Sequence, residues 1–271
     1  MGERLQLGAM DEDRYDRSKR IGWLDIVAVR KAKVLMIGAG ALGNEVAKNL
    51  ALSGFRRITI VDMDHVVGSN LNRCLFFTKK DVTGRVSKAE AIARGLKSLS
   101  DDVEPVVYVS KIEELGEGIF ADNNIVLGCL DNIPARVHAN SHTYSKGKPY
   151  IDGGMEGFLG KVMVVLPPDG ACVQCGMNRS HAKIASFRFS CTGKGVVFHE
   201  PRLAAEITTT SVISAVMVRE TLKILSGRQD MLLANCLYYD GQRNVAEEME
   251  IPIDPDCPVH PKPRSATSRR K

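Results

Sequence analysis

The sequence predicts an α/β fold: a Rossmann-like, mostly parallel sheet with flanking helices, continued by antiparallel strands on the C-terminal side. Three observations carry this. The apolar run Lys33–Ile37 meets the glycine loop Gly38-Ala39-Gly40-Ala41-Leu42-Gly43, and a helix-periodic stretch follows at once. A second apolar run, Arg57–Val61, ends at Asp62, 19 residues beyond Gly43. Far downstream, the runs Asn235–Tyr239 and Val245–Ile251 flank the turn pair Asp240-Gly241 and read as an antiparallel hairpin.

In chain order, the spacing of Val46, Leu50 and Ala51 predicts a helix over 44–52. Gly38 permits the tight turn, Gly40 lets phosphate approach the backbone, and Gly43 allows close strand–helix packing. The helix N-terminus turns free N–H groups toward an anion, and Asp62 stands where an acid grips ribose hydroxyls. The segment NNIVLGCLDN predicts a strand that delivers Asp131 at its end. Pro134–Lys146 reads as a helix with proline near its start. Pro149–Asp152 and Lys161–Leu166 read as strands around the glycine-rich turn of GGMEGFLG. Ile207–Leu225 reads as a buried helix stopped by Ser226-Gly227.

Composition fits a cored domain. The chain has 271 residues, 44% of them hydrophobic, which suffices for one large α/β core. No run of 18 apolar residues exists, the N-terminus is too charged for a secretory signal, and Gln6 stands where myristoylation needs Ser or Thr. A cytoplasmic, membrane-free protein is expected, and its seven cysteines then read as thiols or metal ligands. The formal charge of +5 equals that of Lys262, Arg264, Arg269, Arg270 and Lys271 alone, in a final segment without acids. Residues 261–271 therefore read as a basic, disordered, solubilising tail, and nucleic acid is not an expected partner.

The residues after Asp62 separate one nucleotide chemistry from another. Asp64, Ser69-Asn70-Leu71-Asn72-Arg73 and Lys88 crowd charge beside the phosphate loop. A nicotinamide site has little use for them, whereas a site that spreads a nucleoside triphosphate around a metal ion and breaks it does. This set resembles the ubiquitin-activating-enzyme superfamily, including the adenylyltransferases for molybdopterin synthase and for the thiazole-pathway sulfur carrier. The matching elements are Arg14-Tyr15-Asp16-Arg17, the loop GAGALG, Asp62-Met63-Asp64, Ser69 to Arg73, Ser87-Lys88-Ala89, and Asp131-Asn132 with Arg136. The likeness runs from about Arg14 to about His260.

That resemblance implies an enzyme that uses ATP and Mg²⁺ to adenylate the C-terminal Gly-Gly of a ubiquitin-like or sulfur-carrier protein. Asp62 would hold the ribose, with Gly38, Gly40, Gly43, Asp64 and Asn72 completing the nucleotide site. Asp131 would help to hold Mg²⁺, Arg73 and Lys88 would neutralise phosphates, and Asn70 would orient them. Arg14 would reach the γ-phosphate end from the partner of a homodimer. Residues 1–30 would then be a helical arm serving the dimer, and residues 31–260 a single adenylation domain. One departure stands out: Cys74 occupies a position where the family usually has Gln, and a thiol makes only weak hydrogen bonds.

The cysteines form a second constellation. Cys172-Val173-Gln174-Cys175 has metal-ligand spacing, and Cys257-Pro258-Val259-His260 offers a second pair. Relatives hold a structural zinc with two Cys-x-x-Cys pairs here, so the resemblance implies Zn²⁺ on Cys172, Cys175, Cys257 and His260, tethering the C-terminal segment. Cys191 lies in a region that is a crossover loop in the family, where some members carry a thioester or persulfide cysteine. Arg188 and Lys194 would favour its thiolate, and a purely structural thiol is the competing reading. Cys74, Cys129 and Cys236 read as core residues. The chain is short for an extra ubiquitin-fold or rhodanese domain, so transfer would use a separate sulfurtransferase or conjugating enzyme. Two other functions remain open: an ATP-dependent enzyme like the tRNA threonylcarbamoyladenosine dehydratases, and, more remotely, an NAD-dependent oxidoreductase.

Overall fold

The structure, a computed structural model, describes residues 11, 13–177 and 204–260. Strands β1 (Lys33–Ile37), β2 (Arg57–Val61), β3 (Glu104–Tyr108), β4 (Ile125–Gly128) and β5 (Tyr150–Glu156) pair in parallel. Strands β6 (Leu159–Val165), β7 (Cys236–Asp240) and β8 (Val245–Met249) continue the sheet antiparallel, giving the order β3-β2-β1-β4-β5-β6-β7-β8. The strand order reverses between β1 and β4, so their C-terminal ends open a crevice, the position at which such sheets bind ligands.

The central strands are apolar because both faces are covered. In β1, Val34 to Ile37 are all buried, as is every residue of β4. One side chain of this kind contributes about 1.5–3 kcal/mol on burial. Helix α3, Ala41–Leu52, packs beneath β1, and α5, Lys88–Leu99, beneath β2 and β3. Before α5 comes the short α4, Lys79–Thr83, capped reciprocally by Thr78 and Asp81. Helix α6 is one turn, Gly118–Ala121, and α7, Ile133–Ser145, covers the opposite face of the sheet. Helix α8, Ile207–Leu225, starts at Glu206, whose carboxylate accepts from the backbone N–H groups of Thr208 and Thr209 at 2.7 and 2.8 Å. The Thr208 hydroxyl, which donates to the same carboxylate at 2.6 Å, and these N–H groups hold the Glu206 carboxyl down at about 2.

The first two helices, α1 (Asp16–Lys19) and α2 (Ile26–Lys31), lie against the chain's own body. Tyr15 is buried there, with the Arg14 and Arg30 guanidinium groups 5.6 and 4.9 Å from its ring centroid. Gly54, at φ +103°, leaves room for that ring.

Two expectations need correction. Helix α3 begins at Ala41, three residues before the predicted start, so Gly43 lies inside its first turn. A Cβ on Gly43 would meet the Gly38 carbonyl oxygen at 2.1 Å, and that close approach is why the loop can turn directly into helix. The glycine-rich segment 153–160 is mostly strand, with only Gly157-Phe158 left as the hairpin turn. Gly153 and Gly160 serve packing: side chains there would strike Met217 and Ile213 of α8 at 2.3 and 2.4 Å. Glycine lets α8 lie directly on the β5–β6 hairpin. The hairpin β7–β8, α7 and α8 otherwise stand where the sequence predicts them, within two residues. No described helix is long and apolar enough to cross a membrane.

Candidate nucleotide site and cysteine–histidine cluster

The crevice is built by three loops that leave β1, β2 and β4. The glycine loop comes first. Gly38 has φ +99°, and a Cβ there would lie 2.3 Å from the Cys129 carbonyl oxygen, which presses this loop against the exit of β4. Nothing lies within 4 Å of a Cβ position on Gly40, so that residue faces open space. Buried Asn44 clamps the loop, its Nδ2 donating to the carbonyls of Ala39 and Gly40 at 3.2 and 3.0 Å. Its Oδ1 accepts from the Phe76 N–H at 3.0 Å, which joins the loop to the segment carrying Arg73.

Asp62 leaves β2 directly into this loop. Its Oδ2 accepts from Ala39 N–H at 2.6 Å and its Oδ1 from Asp64 N–H at 2.8 Å. Burial lifts the Asp62 carboxyl above the usual carboxylate range, opposed by Lys88 and by these two N–H groups. Lys88 is the first residue of α5, an end where the helix dipole disfavours a cation. Burial pushes its ammonium pKa down, yet the carboxylates of Asp62, Asp64 and Asp131 outweigh that and raise it. Its Nζ donates to Asp64 Oδ2 at 2.7 Å and only 14% of its side chain is exposed. One lysine is thus held charged, against its helix position, by three acids from two loops.

Asn70 is buried, and its Oδ1 accepts from Val67 N–H at 3.0 Å, closing a turn after β2. That turn carries Arg73, whose Nη1 donates to the Ser69 carbonyl and to Asn72 Oδ1, the latter at 3.0 Å. Asn72 therefore aims Arg73. Cys74 points the other way, into the core, and burial pushes its thiol up to about 11. It cannot stand in for the hydrogen bonding of a Gln there. Asp131 is exposed on the loop after β4. Asn132 follows it and caps α7, accepting from Ala135 N–H at 2.9 Å.

The structure brings the glycine loop, Asp62, Asp64, Lys88 and Asp131 together and sets Asn70, Asn72 and Arg73 on the adjoining turn. It does not bring Arg14 to them within this chain. The Arg14 guanidinium donates to Ser100 Oγ at 2.8 Å and to the Leu99 carbonyl, at the C-terminal end of α5. Cys191, Arg188, Lys194 and the tail lie outside the described residues.

The second constellation closes as the spacing suggests. The ligand atoms of Cys172, Cys175, Cys257 and His260 all lie within 4.8 Å of one another. Cys172 Sγ is 3.8 Å from Cys175 Sγ and 3.6 Å from Cys257 Sγ, and Cys175 Sγ is 3.2 Å from His260 Nε2. A tetrahedral zinc at ordinary Zn–S lengths needs sulfur–sulfur edges of about 3.8 Å, so the set fits the ion. Tyr144 Oη donates to the Pro168 carbonyl and lies 3.1 Å from His260 Nδ1. With its proton so placed, the hydroxyl accepts from Nδ1–H and leaves the Nε2 lone pair facing the cysteines.

Sequence reasoning missed a polar stripe on α7. Asn132, Arg136, Asn140 and Tyr144 recur every four residues and so share one face. Asn132 and Arg136 fix the loop after β4, whereas Asn140 and Tyr144 fix the segment after β6; Asn140 Oδ1 accepts from Val173 N–H at 3.0 Å. Arg136 is not a solvated surface charge: it pairs with Asp152 beneath the Asp131 loop, with side chains 17% and 5% exposed. The available signal was Asp152 itself, a charge inside the strand sequence YIDGG that must find a partner.

Glycine substitutions separate folding from binding at this loop. Gly40→Ala is expected to melt with the parent but to bind nucleotide about tenfold more weakly, or about 1.4 kcal/mol, because its methyl group occupies phosphate space. Gly38→Ala, with its positive φ and backbone clash, is expected to lose about 1–3 kcal/mol of stability. Thermal denaturation beside nucleotide titration checks both, and equal Tm losses would refute the distinction.

A glycine loop at the switch point of a parallel sheet, with an acid at the next strand end and a lysine held among carboxylates beside it, defines an α/β protein of the Rossmann-like class. Residues 15–259 match the ThiF family, and the chain belongs to it. It is similar to the NEDD8-activating enzyme E1 catalytic subunit of Caenorhabditis elegans, 35% identical over 206 residues, covering 69% of this chain and 46% of that protein. It is also similar to SUMO-activating enzyme subunit 2 of Dictyostelium discoideum, 34% identical over 149 residues, covering 54% of this chain and 22% of that one. The chain spans less than half the length of these curated relatives. Among solved structures, E. coli MccB with ATP shares the fold at 19% identity and a TM-score of 0.72, over 93% of this chain and 75% of that one.

Proposed function

We propose that this chain is an ATP-dependent adenylyltransferase that activates the C-terminal glycine of a ubiquitin-like or sulfur-carrier protein. The observation that carries the reading is Lys88, kept cationic among Asp62, Asp64 and Asp131 beside the open face of Gly40. A carboxylate oxygen of the carrier attacks the α-phosphorus of ATP. The new C–O–P linkage forms as the bond to the β-phosphate oxygen breaks, and pyrophosphate leaves with that electron pair. The protein positions reactants and neutralises charge.

In this reading Asp62 accepts from the ribose hydroxyls, the α3 N-terminus and Gly40 receive phosphate, and Lys88 and Arg73 balance the departing charge. Asn70 keeps the turn that presents Arg73. Asp131, with Asp64 beside it, is the carboxylate that would hold Mg²⁺, which when bound shares the phosphate charge. Zn²⁺ on Cys172, Cys175, Cys257 and His260 would be structural. A homodimer would bring Arg14 to a neighbour's nucleotide, at the cost of its own contacts with Ser100 and Leu99. A later thioester or persulfide at Cys191, with a downstream sulfurtransferase or conjugating enzyme, belongs to the same proposal.

Its test is exchange of labelled pyrophosphate into ATP. Exchange that depends on a carrier ending in Gly-Gly, and is lost when that glycine is removed, is the expected result. ATP turnover that requires only modified tRNA would overturn it in favour of a dehydratase-like activity.

A further inference from the structure

The buried pair beneath the crevice has no role in the chemistry just described, and it is expensive. Ionic groups taken out of water contribute little net stability unless every hydrogen-bonding site is used. Here they are used. Arg136 donates to the Asp152 carboxylate, to the Leu130 carbonyl, and to the Gly153 carbonyl at 2.9 Å. Tyr150 Oη donates to the remaining Asp152 oxygen at 2.9 Å. Burial works against the guanidinium charge, but Asp152 more than offsets it, so the cation is fixed.

The local backbone makes room for this cluster. A Cβ on Gly128 would lie 2.2 Å from Tyr150 Oη and 2.8 Å from Asp152 Oδ1, and one on Gly154 only 3.1 Å from Arg136 Nη2. The contact that matters is the one to Leu130, the residue immediately before Asp131. Cys129 N–H is already held by the Ile37 carbonyl at 2.7 Å, and Asn132 caps α7. Arg136 closes the remaining freedom of the Leu130–Asp131 peptide by tying it to β5.

We propose that Arg136, anchored by Asp152 and Tyr150, is a positioning residue that presents Asp131 to the divalent cation of the bound nucleotide. The inference rests on the adenylation reading of the crevice, and it touches no reacting atom. Lysine at position 136 would keep a charge against Asp152 but lacks the planar fork that reaches two carbonyls as well.

The test uses the full chain and ATP titrations across a range of Mg²⁺ concentrations, with EDTA for the metal-free limit. Arg136→Lys is expected to raise the Mg²⁺ concentration needed for half-maximal ATP binding about tenfold, as for a misplaced ligand, while metal-free ATP binding stays at the parent value. In an Asp131→Asn background the same substitution is expected to add no further shift, because its effect runs through Asp131. Tyr150→Phe removes only the donor to Asp152 and is expected to shift the requirement in the same direction, about threefold, should Arg136→Lys not fold. An unchanged Mg²⁺ requirement in a folded variant, or an equal shift with and without Asp131, would overturn the proposal. If the parent binds no ATP at all, the adenylation reading fails and takes this inference with it, a result distinct from both.

Discussion

Lys88→Ala is expected to lower adenylation by about 10²–10³-fold, the scale for removing one preorganised charge from a transition state, while the fold persists. The fold persists because the backbone does not depend on this ammonium: Lys88 N–H still donates to the Asp64 carbonyl at 2.9 Å, and Ser87 still caps α5 through Glu90 N–H. Removing a cation from a helix N-terminus even relieves the helix dipole. Catalysis loses more than a phosphate contact. Lys88 is the charge that opposes the burial of Asp62, so without it the Asp62 carboxyl climbs further above its usual range. In the proposed adenylation site Asp62 would accept ribose hydroxyls best when ionised. Residual nucleotide binding in the variant is therefore expected to weaken on the acid side at a higher pH than in the parent. Pyrophosphate exchange, and ATP titration followed as pH is lowered from neutral, check both parts. A variant with near-parental exchange, or with melting behaviour lost along with activity, would refute this account.

The parts legible in the sequence were those set by local rules. A strand, a glycine turn and a helix are written in consecutive residues, and so is the acid that ends the next strand. Ile207–Leu225 matched its predicted span because an apolar run with a glycine stop specifies both ends. The hairpin at 150–165 was read too short because its glycines suggested a turn, whereas they answer to Met217 and Ile213 on a helix 50 residues later. Asn44 and Arg136 show the same limit. Asn44 carries no sequence signal of its role, and Arg136, although part of the family resemblance, shows which loop it holds only through tertiary contact. The cysteine–histidine cluster was legible as spacing, but the role of Tyr144 was not, since nothing local connects it to His260.

The second large effect concerns that cluster. Cys172→Ser is expected to lower Tm by about 10 °C or more, since 1 kcal/mol moves a domain of this size by about 2–4 °C and a structural zinc supplies several times that. The four side chains join the segment after β6 to the segment after β8, and Tyr144 ties both to the C-terminal end of α7. Burial holds the Cys257 thiol up at about 12 and the Cys172 thiol above its usual value, so these are neutral thiols until a cation arrives. Loading zinc is therefore expected to expel the protons of these thiols, and competing chelators are expected to win more easily as pH falls. Cys236→Ser is the control, because Cys236 is equally buried yet lies outside the cluster. It too leaves a polar group in the core, but it removes no ligand. Metal analysis, proton release on titration and paired melting curves with and without chelator make the measurement. Zinc well below about 0.3 per chain after chelator-free purification, or equal Tm losses for Cys172→Ser and Cys236→Ser, would reduce the cluster to four packed side chains.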